Sequence, residues 1–217
     1  MPLPSDIAEP RHVDGPFRIL TICTGNICRS PQAASLLRSG LREVLGPETS
    51  SILAVESAGT YGLEGSPMDS SAAAEAVRLG VSDGATHVAR QLTAEMVQRA
   101  DLVLGMERAH RSAAVALDPS ANRRAFTLTE FAAVLEMMPR RLELQQPCPG
   151  PVSQQLLAGV VADAADARGV VAASGQIDYD IEDPYRRAPR VYRRSADAIE
   201  AAVRASVRRL ASLVEER

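Results

Sequence analysis

The 217-residue sequence predicts an α/β fold in which helices cover both faces of a parallel sheet. Short apolar runs typical of buried strands alternate with longer segments whose apolar residues recur every three or four positions. Strands that are joined by helices run parallel, because each crossover returns the chain to the same end of the sheet. A single domain is expected, since a chain of this length is too short for two large hydrophobic cores.

The first predicted unit is a strand, a short loop and a helix. It follows residues 1–16, a Pro-rich and polar stretch that we expect to be a flexible leader, so the folded domain covers residues 17–217. Residues 17–22 have the apolar character of a buried strand. Residues 30–45 place apolar side chains on one face and stop at a Gly-Pro pair, which predicts a helix.

The later segments continue this alternation and complete the expected sheet. Strands are predicted at residues 51–55, 102–105 and 123–128. Helices are predicted at residues 68–80, from the capping Thr93 onward, at 107–117 and at 129–138. A long terminal helix is expected because apolar residues recur there at spacings of three and four, namely Ile199, Val203, Val207, Leu210 and Val214.

Two stretches interrupt the alternation. Residues 140–175 join a Pro-rich linker to an Ala-rich segment, and we interpret them as a helical insertion whose role is packing. Residues 179–194, with the sequence YDIEDPYRRAPRVYRR, combine acidic residues, an Asp-Pro-Tyr step and five arginines just before the terminal helix. We expect this second stretch to form a loop.

Composition narrows the classes of function. The formal charge of −3 gives no electrostatic basis for binding nucleic acid. No apolar run approaches the roughly 20 residues that a membrane-spanning helix needs. Three cysteines do not make a disulfide framework, so a reducing compartment, the cytoplasm, is expected. The sequence shows no spacing of residues typical of a metal site.

The stretch CTGNICRSP, which begins at Cys23, contains the candidate catalytic and phosphate-binding residues. A curled loop between a strand and a helix turns backbone N–H groups inward and forms an anion site that the helix dipole reinforces. These donors and Arg29 would stabilise a Cys23 thiolate, while the planar Arg29 guanidinium can hold two phosphoryl oxygens. Gly25 and Asn26 suit a tight turn, and Ser30 can offer its hydroxyl to the sulfur or cap the helix. The loop therefore predicts a phosphate site with a nucleophilic cysteine.

This loop resembles the phosphate-binding loop of the low molecular weight protein tyrosine phosphatases, in which Cys, five residues and Arg are followed by Ser or Thr. Further stretches resemble that family's landmarks in the family's order: SAGTYGLEGSPMD, HVARQLT, ADLVLGM, FTLTEFA and EDPY. The resemblance covers residues 17–138 and 178–215 and favours the bacterial branch. It implies a four-stranded parallel sheet flanked by helices on both faces, the phosphatase-I type of fold, with residues 140–175 as an insertion.

The resemblance implies hydrolysis of phosphotyrosine in proteins through a phosphocysteine intermediate. Cys23 would be the nucleophile, Arg29 would bind the phosphoryl oxygens, and Asp183 would be the general acid because a proline follows it. Asp180 and Glu182 are the alternative carboxylates close in sequence. The implied reaction needs neither a metal nor another cofactor.

The resemblance also assigns binding and supporting residues. Substrate contacts are expected from the rest of the loop, which consists of Thr24, Gly25, Asn26, Ile27, Cys28 and Ser30. Ser57 is expected to support the loop through its hydroxyl. His87 either holds Asn26 or is a histidine satisfied elsewhere, in the core or at the surface. Cys28 either forms a reversible disulfide with Cys23 or is a buried packing residue. His110 has no evident partner in the sequence.

Specificity follows from the expected walls of the pocket. By resemblance these are Ile27, Leu63 and Tyr185, with Tyr61 as the alternative to Leu63. An arginine-phosphatase branch of the family has a threonine at the position of Ile27, so phosphotyrosine is the preferred substrate and phosphoarginine the alternative. A bacterial tyrosine kinase is a family-level expectation for the protein substrate. The five arginines of residues 186–194 are either solvated or favour acidic residues flanking the phosphotyrosine.

Two other functions remain open at this point. An arsenate reductase shares the fold and the loop, although the thioredoxin-coupled kind needs two further cysteines after the third strand, and LVLGMERAHRSAAV has none. A thiol-coupled reductase with a single essential cysteine stays an alternative. A phosphate-binding module without catalysis is the other alternative. The retained Cys23, Arg29 and Asp183 favour the phosphatase over both.

Overall fold

A computed structural model describes residues 15–46, 49–81, 83–138, 154–173 and 179–215. The strands are β1 (Phe17–Cys23), β2 (Leu53–Gly59), β3 (Leu102–Gly105) and β4 (Ala125–Thr127). The helices are α1 (Arg29–Leu45), α2 (Thr49–Ile52), α3 (Ser70–Arg78), α4 (Ala94–Arg99), α5 (Arg108–Leu117), α6 (Leu128–Met137), α7 (Gln154–Ala173) and α8 (Pro189–Glu215).

The four strands form one parallel sheet in the order β2-β1-β3-β4. This confirms the predicted α/β class with a four-stranded parallel sheet. Strand β1 alternates its side chains between two apolar clusters, with Ile19 in the larger and Leu20 in the smaller. Helices α1, α6 and α8 contribute to the larger cluster, while α4 and α5 contribute to the smaller one, so both faces of the sheet are covered.

The predicted second strand, residues 51–55, was placed too early. Residues 51 and 52 belong to the short helix α2, and the strand runs from Leu53 to Gly59. All seven of its residues pair with β1, from Phe17 opposite Leu53 to Cys23 opposite Gly59. Its middle residues are only half-buried because β2 is an edge strand, so the sequence there lacks the apolar run that marks β1.

The register of the sheet brings the functional loops to one edge. Cys23, at the end of β1, lies opposite Gly59, and Ile22 lies opposite Gly105 at the end of β3. A Cβ atom at Gly59 would lie 2.5 Å from the carbonyl oxygen of Thr24. Only glycine therefore lets the loop after β1 fold over the end of β2. In parallel sheets this carboxyl edge is the usual place for ligands.

Helix α7 is the described part of the predicted insertion. Its side chains Leu157, Val160, Val161 and Ala164 are buried in the larger apolar cluster. Arg168 places its guanidinium 3.9 Å from the centre of the Phe126 ring and pairs with Glu130 at 2.9 Å. The helix thus packs on the domain, as its predicted role requires. Residues 139–153 and 174–178, and residues 1–14 of the predicted leader, lie outside the described residues.

Among the described residues, no helix combines the length and the apolar character needed to cross a membrane.

Candidate active site

The loop between β1 and α1 surrounds the sulfur of Cys23 with donors. The backbone N–H of Asn26 donates to Sγ at 3.3 Å, and the hydroxyl of Ser30 donates to it at 3.0 Å. Asn26 adopts a left-handed conformation with φ of 57°, which asparagine tolerates better than most residues. Cys23 is only 2% exposed. A thiolate at this position would be stabilised by both donors.

Helix α1 begins at Arg29, directly after the loop. No side chain among the described residues caps its first turn, and that turn contains no acidic residue. The N–H groups of the first turn and the positive end of the helix dipole therefore remain available to an anion. A phosphate bound in the loop would accept hydrogen bonds from these N–H groups.

The guanidinium of Arg29 is buried and held along one edge. Nη1 donates to the Glu107 carboxylate and, at 2.8 Å, to the carbonyl oxygen of Ile181. Nη2 lies 2.7 Å from Oδ2 of Asp183. Nε has no hydrogen-bond partner among the described residues. A buried donor of this kind suits a phosphoryl oxygen, because an unpaired N–H is costly in the interior.

Asn26 is the centre of the network that supports the loop. Its Nδ2 donates to the hydroxyls of Ser30 and Ser57, both at 2.9 Å. Its Oδ1 accepts the backbone N–H of Arg90 at 2.8 Å. The backbone carbonyl oxygen of Asn26 lies 2.6 Å from Nε2 of His87. Ser57 therefore contacts the loop through its hydroxyl and His87 lies beside Asn26, while their supporting roles stay predictions. Every polar atom of the Asn26 side chain is bonded, which fixes the curl of the loop.

The acid loop brings one carboxylate into the pocket. Asp183 accepts the backbone N–H of Tyr185 at 3.1 Å, so the Asp-Pro-Tyr step forms a local turn that points the carboxylate toward Arg29. Asp180 instead pairs with Arg108 at 3.2 Å. Of the three neighbouring acids, the structure places Asp183 next to the Cys23 loop.

Glu182, the remaining alternative, faces a different cation. Its carboxylate lies 2.7 Å from Arg194, and both side chains are about half exposed. An ion pair so open to water is weak, and it holds the carboxylate away from the pocket.

The pocket over Cys23 has a volume of about 250 Å³. Apart from the residues of the loop, its lining comes from the side chains of Tyr61, Leu63, Asp183 and Tyr185. Ile27, Leu63 and Tyr185 were the predicted walls, and Tyr61 stands beside Leu63 as a fourth wall. Flat apolar walls above a polar floor suit an aromatic ring that carries a phosphate.

Cys28 also lines this pocket, and it is 4% exposed. Burial, followed by the negative charge of Asp69, raises the pKa of the Cys28 thiol well above its ordinary value. Cys28 is therefore a neutral thiol at neutral pH. Cys23 and Cys28 are both free in the described structure, so the predicted disulfide between them stays a prediction.

The sequence analysis missed Glu107. This residue lies two positions after the end of β3 and pairs with Arg29 across the edge of the sheet. The signal was its position, since residues that follow adjacent parallel strands converge at the carboxyl edge.

The expectation that His110 has no partner was wrong. Its Nε2 lies 3.1 Å from the hydroxyl of Thr24 in the loop. Burial, followed by the positive charge of Arg29, lowers the pKa of His110, so the ring is neutral at neutral pH. The contact spans 86 positions in the sequence, which no local pattern reveals.

No cluster of three or more histidine, cysteine, aspartate or glutamate side chains that could hold a metal ion occurs in the described ranges.

Comparison with protein families gives one match that covers most of the chain. Residues 18–163 match the model of the family described as low molecular weight phosphotyrosine protein phosphatase. The matched range includes the Cys23 loop, the sheet and the first part of α7. It ends before the acid loop.

Two bacterial phosphatases are similar in sequence to about half of the chain. The chain is 45% identical to the low molecular weight protein-tyrosine-phosphatase Etp of Escherichia coli over 102 residues, which are 46% of this chain and 62% of Etp. It is 42% identical to the probable low molecular weight protein-tyrosine-phosphatase EpsP of Ralstonia solanacearum over 52% of this chain and 71% of EpsP. The chain thus spans less than two thirds of Etp.

A solved structure extends the likeness over nearly the whole chain. The YwlE arginine phosphatase from Geobacillus stearothermophilus superposes with a TM-score of 0.61 at 28% identity, covering 90% of this chain and 93% of that one.

Proposed function

The chain belongs to the low molecular weight phosphotyrosine protein phosphatase family, and from this premise we propose that it hydrolyses phosphotyrosine in proteins through a phosphocysteine intermediate. One observation carries the proposal: the buried Cys23 sulfur accepts hydrogen bonds from the loop while Arg29 and Asp183 lie in the same pocket. A nucleophile, an oxyanion binder and an acid are thereby brought together.

In the first step, the Cys23 thiolate attacks phosphorus and forms an S–P bond as the bond from phosphorus to the tyrosine oxygen breaks. Asp183, protonated for this step, gives its proton to the departing oxygen, which leaves as the tyrosine hydroxyl. Arg29 and the loop N–H groups stabilise the charge on the three remaining phosphoryl oxygens.

In the second step, water attacks the phosphocysteine and the S–P bond breaks. The Asp183 carboxylate takes a proton from the water, inorganic phosphate forms and the Cys23 thiolate is regenerated. The Ser30 hydroxyl, 3.0 Å from the sulfur, stabilises the thiolate as it leaves. Each turnover therefore returns both the thiolate and the protonated acid to their starting states.

Phosphotyrosine is favoured over phosphoarginine by the pocket walls. Ile27 offers an apolar surface that suits the face of an aromatic ring, and Leu63 and Tyr185 complete the slot. The names of Etp and EpsP give tyrosine as the residue on which those relatives act. Phosphoarginine is the second candidate, because the arginine phosphatase from Geobacillus stearothermophilus is also similar to this chain.

Arsenate reduction is a weaker candidate. No cysteine occurs from Met106 to Leu117, where a disulfide relay after β3 would need one. A carboxylic acid placed to protonate a leaving group, such as Asp183, would have no role in that reaction.

We propose the cytoplasm as the location and a bacterial tyrosine kinase as a substrate. The nucleophile must be a free thiol, which a reducing compartment maintains. The bacterial sources of the similar phosphatases support a bacterial partner.

The test compares three reactions of the full chain: release of phosphate from a phosphotyrosine peptide, release from a phosphoarginine peptide, and arsenate-dependent consumption of thiol. The proposal expects the first to be fastest and to be abolished in Cys23→Ser. Faster release from phosphoarginine would establish the second candidate, and thiol consumption with arsenate alone would establish the reductase. Equal turnover by Cys23→Ser would overturn all three.

A further inference from the structure

Arg186 has an unusual backbone conformation in the acid loop. Its φ is 58°, a left-handed conformation that costs free energy for a residue with a Cβ atom. It lies three positions after Asp183 and next to Tyr185, whose N–H donates to the Asp183 carboxylate. Such a conformation persists only where neighbouring groups hold it, so the contacts of Arg186 decide the geometry of the turn.

The backbone N–H of Arg186 has a specific acceptor in the hydroxyl of Tyr192. The distance is 3.3 Å, and Tyr192 is only 6% exposed near the start of α8. A buried phenol restricted by the packing of its ring is a rigid anchor. The hydroxyl therefore fixes the peptide that carries the left-handed residue.

The same hydroxyl also interacts with the Asp69 carboxylate. Burial, and then the negative charge of Asp69, raises the pKa of Tyr192 to about 12, so the phenol keeps its proton and can donate to that carboxylate. Asp69 is itself well fixed, because its Oδ1 accepts the N–H groups of Ser71 and Ala72 at the start of α3. The tyrosine thus connects the turn at Arg186 to the capped helix α3.

Asp69 also joins this connection to the phosphate-binding loop. Its backbone N–H donates to the carbonyl oxygen of Ile27 at 2.8 Å. The path from the acid loop to the nucleophile loop therefore runs from Arg186 through Tyr192 and Asp69 to Ile27. Asp69 therefore connects, through Tyr192, the loop that carries the acid Asp183 with the loop that carries the nucleophile Cys23.

We propose that Tyr192 is a positioning residue for the general acid, and that its hydroxyl holds the turn that presents Asp183 to the leaving group. The inference rests on the proposed function. It adds a residue that touches neither the phosphate nor the ring but decides whether the acid lies where the proton is needed.

A positioning role for the acid has a signature that a loss of stability does not have. Asp183 matters most when the leaving group is a strong base, because such a group needs the proton. A misplaced acid should therefore slow substrates with poor leaving groups and spare those with good ones. A general loss of folded protein would lower all rates by the same factor.

The experiment measures kcat/KM of the full chain on phenyl phosphate, a poor leaving group, and on 2,4-dinitrophenyl phosphate, a good one. Four proteins are compared: the unchanged chain, Tyr192→Phe, Asp183→Ala and Tyr179→Phe. The Tyr179 hydroxyl has no hydrogen-bond partner among the described residues, so Tyr179→Phe removes a matched hydroxyl that bonds to none of them. Asp183→Ala shows how far kcat/KM on each substrate falls when the acid is removed completely.

Tyr192→Phe should lower kcat/KM on phenyl phosphate about fivefold, the factor expected for one ordinary hydrogen bond. On 2,4-dinitrophenyl phosphate its rate, like both rates of Tyr179→Phe, should stay unchanged. Equal loss on both substrates, or no loss on either, would overturn the inference while the phosphatase activity of the unchanged chain stood. No hydrolysis by the unchanged chain would instead overturn the proposed function, and this inference with it.

Discussion

The carboxylate of Asp183 lies 2.7 Å from Nη2 of Arg29, the residue proposed to hold the substrate phosphate. The Asp183 side chain is about half exposed, whereas that of Arg29 is almost completely buried. The Asp183 carboxyl group therefore lies between the Arg29 guanidinium and the solvent. An arriving phosphate dianion must share or replace this contact, which links substrate binding to the position of the acid.

Replacing Asp183 with alanine should separate catalysis from binding. We expect kcat/KM on phenyl phosphate to fall by about 10²- to 10⁴-fold, the usual contribution of a general acid. The inhibition constant of inorganic phosphate should fall, because the variant no longer places a carboxyl group against Nη2 of Arg29, where a phosphate oxygen would bind. Steady-state inhibition by phosphate measures both effects.

Glu182→Ala is the matched control for this variant. It removes the adjacent carboxylate, which pairs with Arg194 outside the pocket, and should change neither value. Weaker phosphate binding in Asp183→Ala would contradict the proposal that Asp183 and phosphate compete for Arg29.

Glu107 should orient Arg29. In Glu107→Gln the guanidinium loses the charged partner of Nη1 but keeps the carbonyl oxygen of Ile181 and, at Nη2, Asp183. We expect phosphate binding and kcat/KM to weaken about tenfold, the lower range for a hydrogen bond between charged groups. Titration with vanadate, read against kcat/KM, measures the effect.

The control is Glu95→Gln, which removes a carboxylate from an exposed ion pair with Arg99 on α4. It should behave like the unchanged chain. Identical vanadate affinity in Glu107→Gln would show that the ion pair does not orient Arg29.

His110 should make the stability of the domain depend on pH. Burial and then Arg29 lower the pKa of His110 in the folded state, while the unfolded chain has the ordinary value of about 6.5. Below that value the unfolded state binds a proton that the folded state does not bind. The free energy of unfolding should therefore decrease as the pH falls from 7 toward 5.

Urea unfolding at pH 7 and pH 5 tests this effect. The loss of stability between the two values should be smaller in His110→Gln than in the unchanged chain. An equal loss in the two proteins would mean that His110 binds its proton as readily folded as unfolded.

Ile27 should set the preference for an aromatic phosphoester. Its Cγ1 lies 3.5 Å from the place that a Cβ on Gly25 would take, so the side chain leans over the loop and forms a wall of the pocket. Ile27→Thr replaces apolar surface with a hydroxyl, and we expect the ratio of phosphotyrosine to phosphoarginine turnover to fall about tenfold, as for one or two lost methylene contacts. Competition between the two phosphopeptides measures the ratio. A ratio that does not change would assign the preference to Leu63 or Tyr185.

The sequence predicted the sheet and the nucleophile loop because both are local. Strand β1 is an apolar run, and the Cys23 loop lies within nine consecutive residues. The apolar run indicated the strand, and the residues of the loop together with the other stretches that resemble the family indicated the site. Strand β2 was placed early because Glu56 and Ser57 interrupt its apolar pattern, and its true extent depends on pairing with β1.

The contacts that complete the site could not be predicted, because they join distant parts of the chain. Glu107 reaches Arg29 across 78 positions, and His110 reaches Thr24 across 86. The acidic stretch offered three carboxylates, and only the folded turn shows that Asp183 faces Arg29. Residues 179–194 were expected to form a loop, but the helix α8 begins at Pro189, so the expectation was wrong for residues 189–194, which include Tyr192. The role of the Tyr192 hydroxyl depends on the turn at Arg186, which no local pattern reveals.

Trapping the covalent intermediate tests the central claim most directly. The full chain is mixed with p-nitrophenyl phosphate, quenched in acid during turnover and digested, and the peptide that contains Cys23 is weighed by mass spectrometry. The account predicts that this peptide gains the mass of one phosphoryl group on sulfur and that Asp183→Ala still forms it. Turnover with no phosphoryl group on Cys23, or with the group on another residue, would contradict the account.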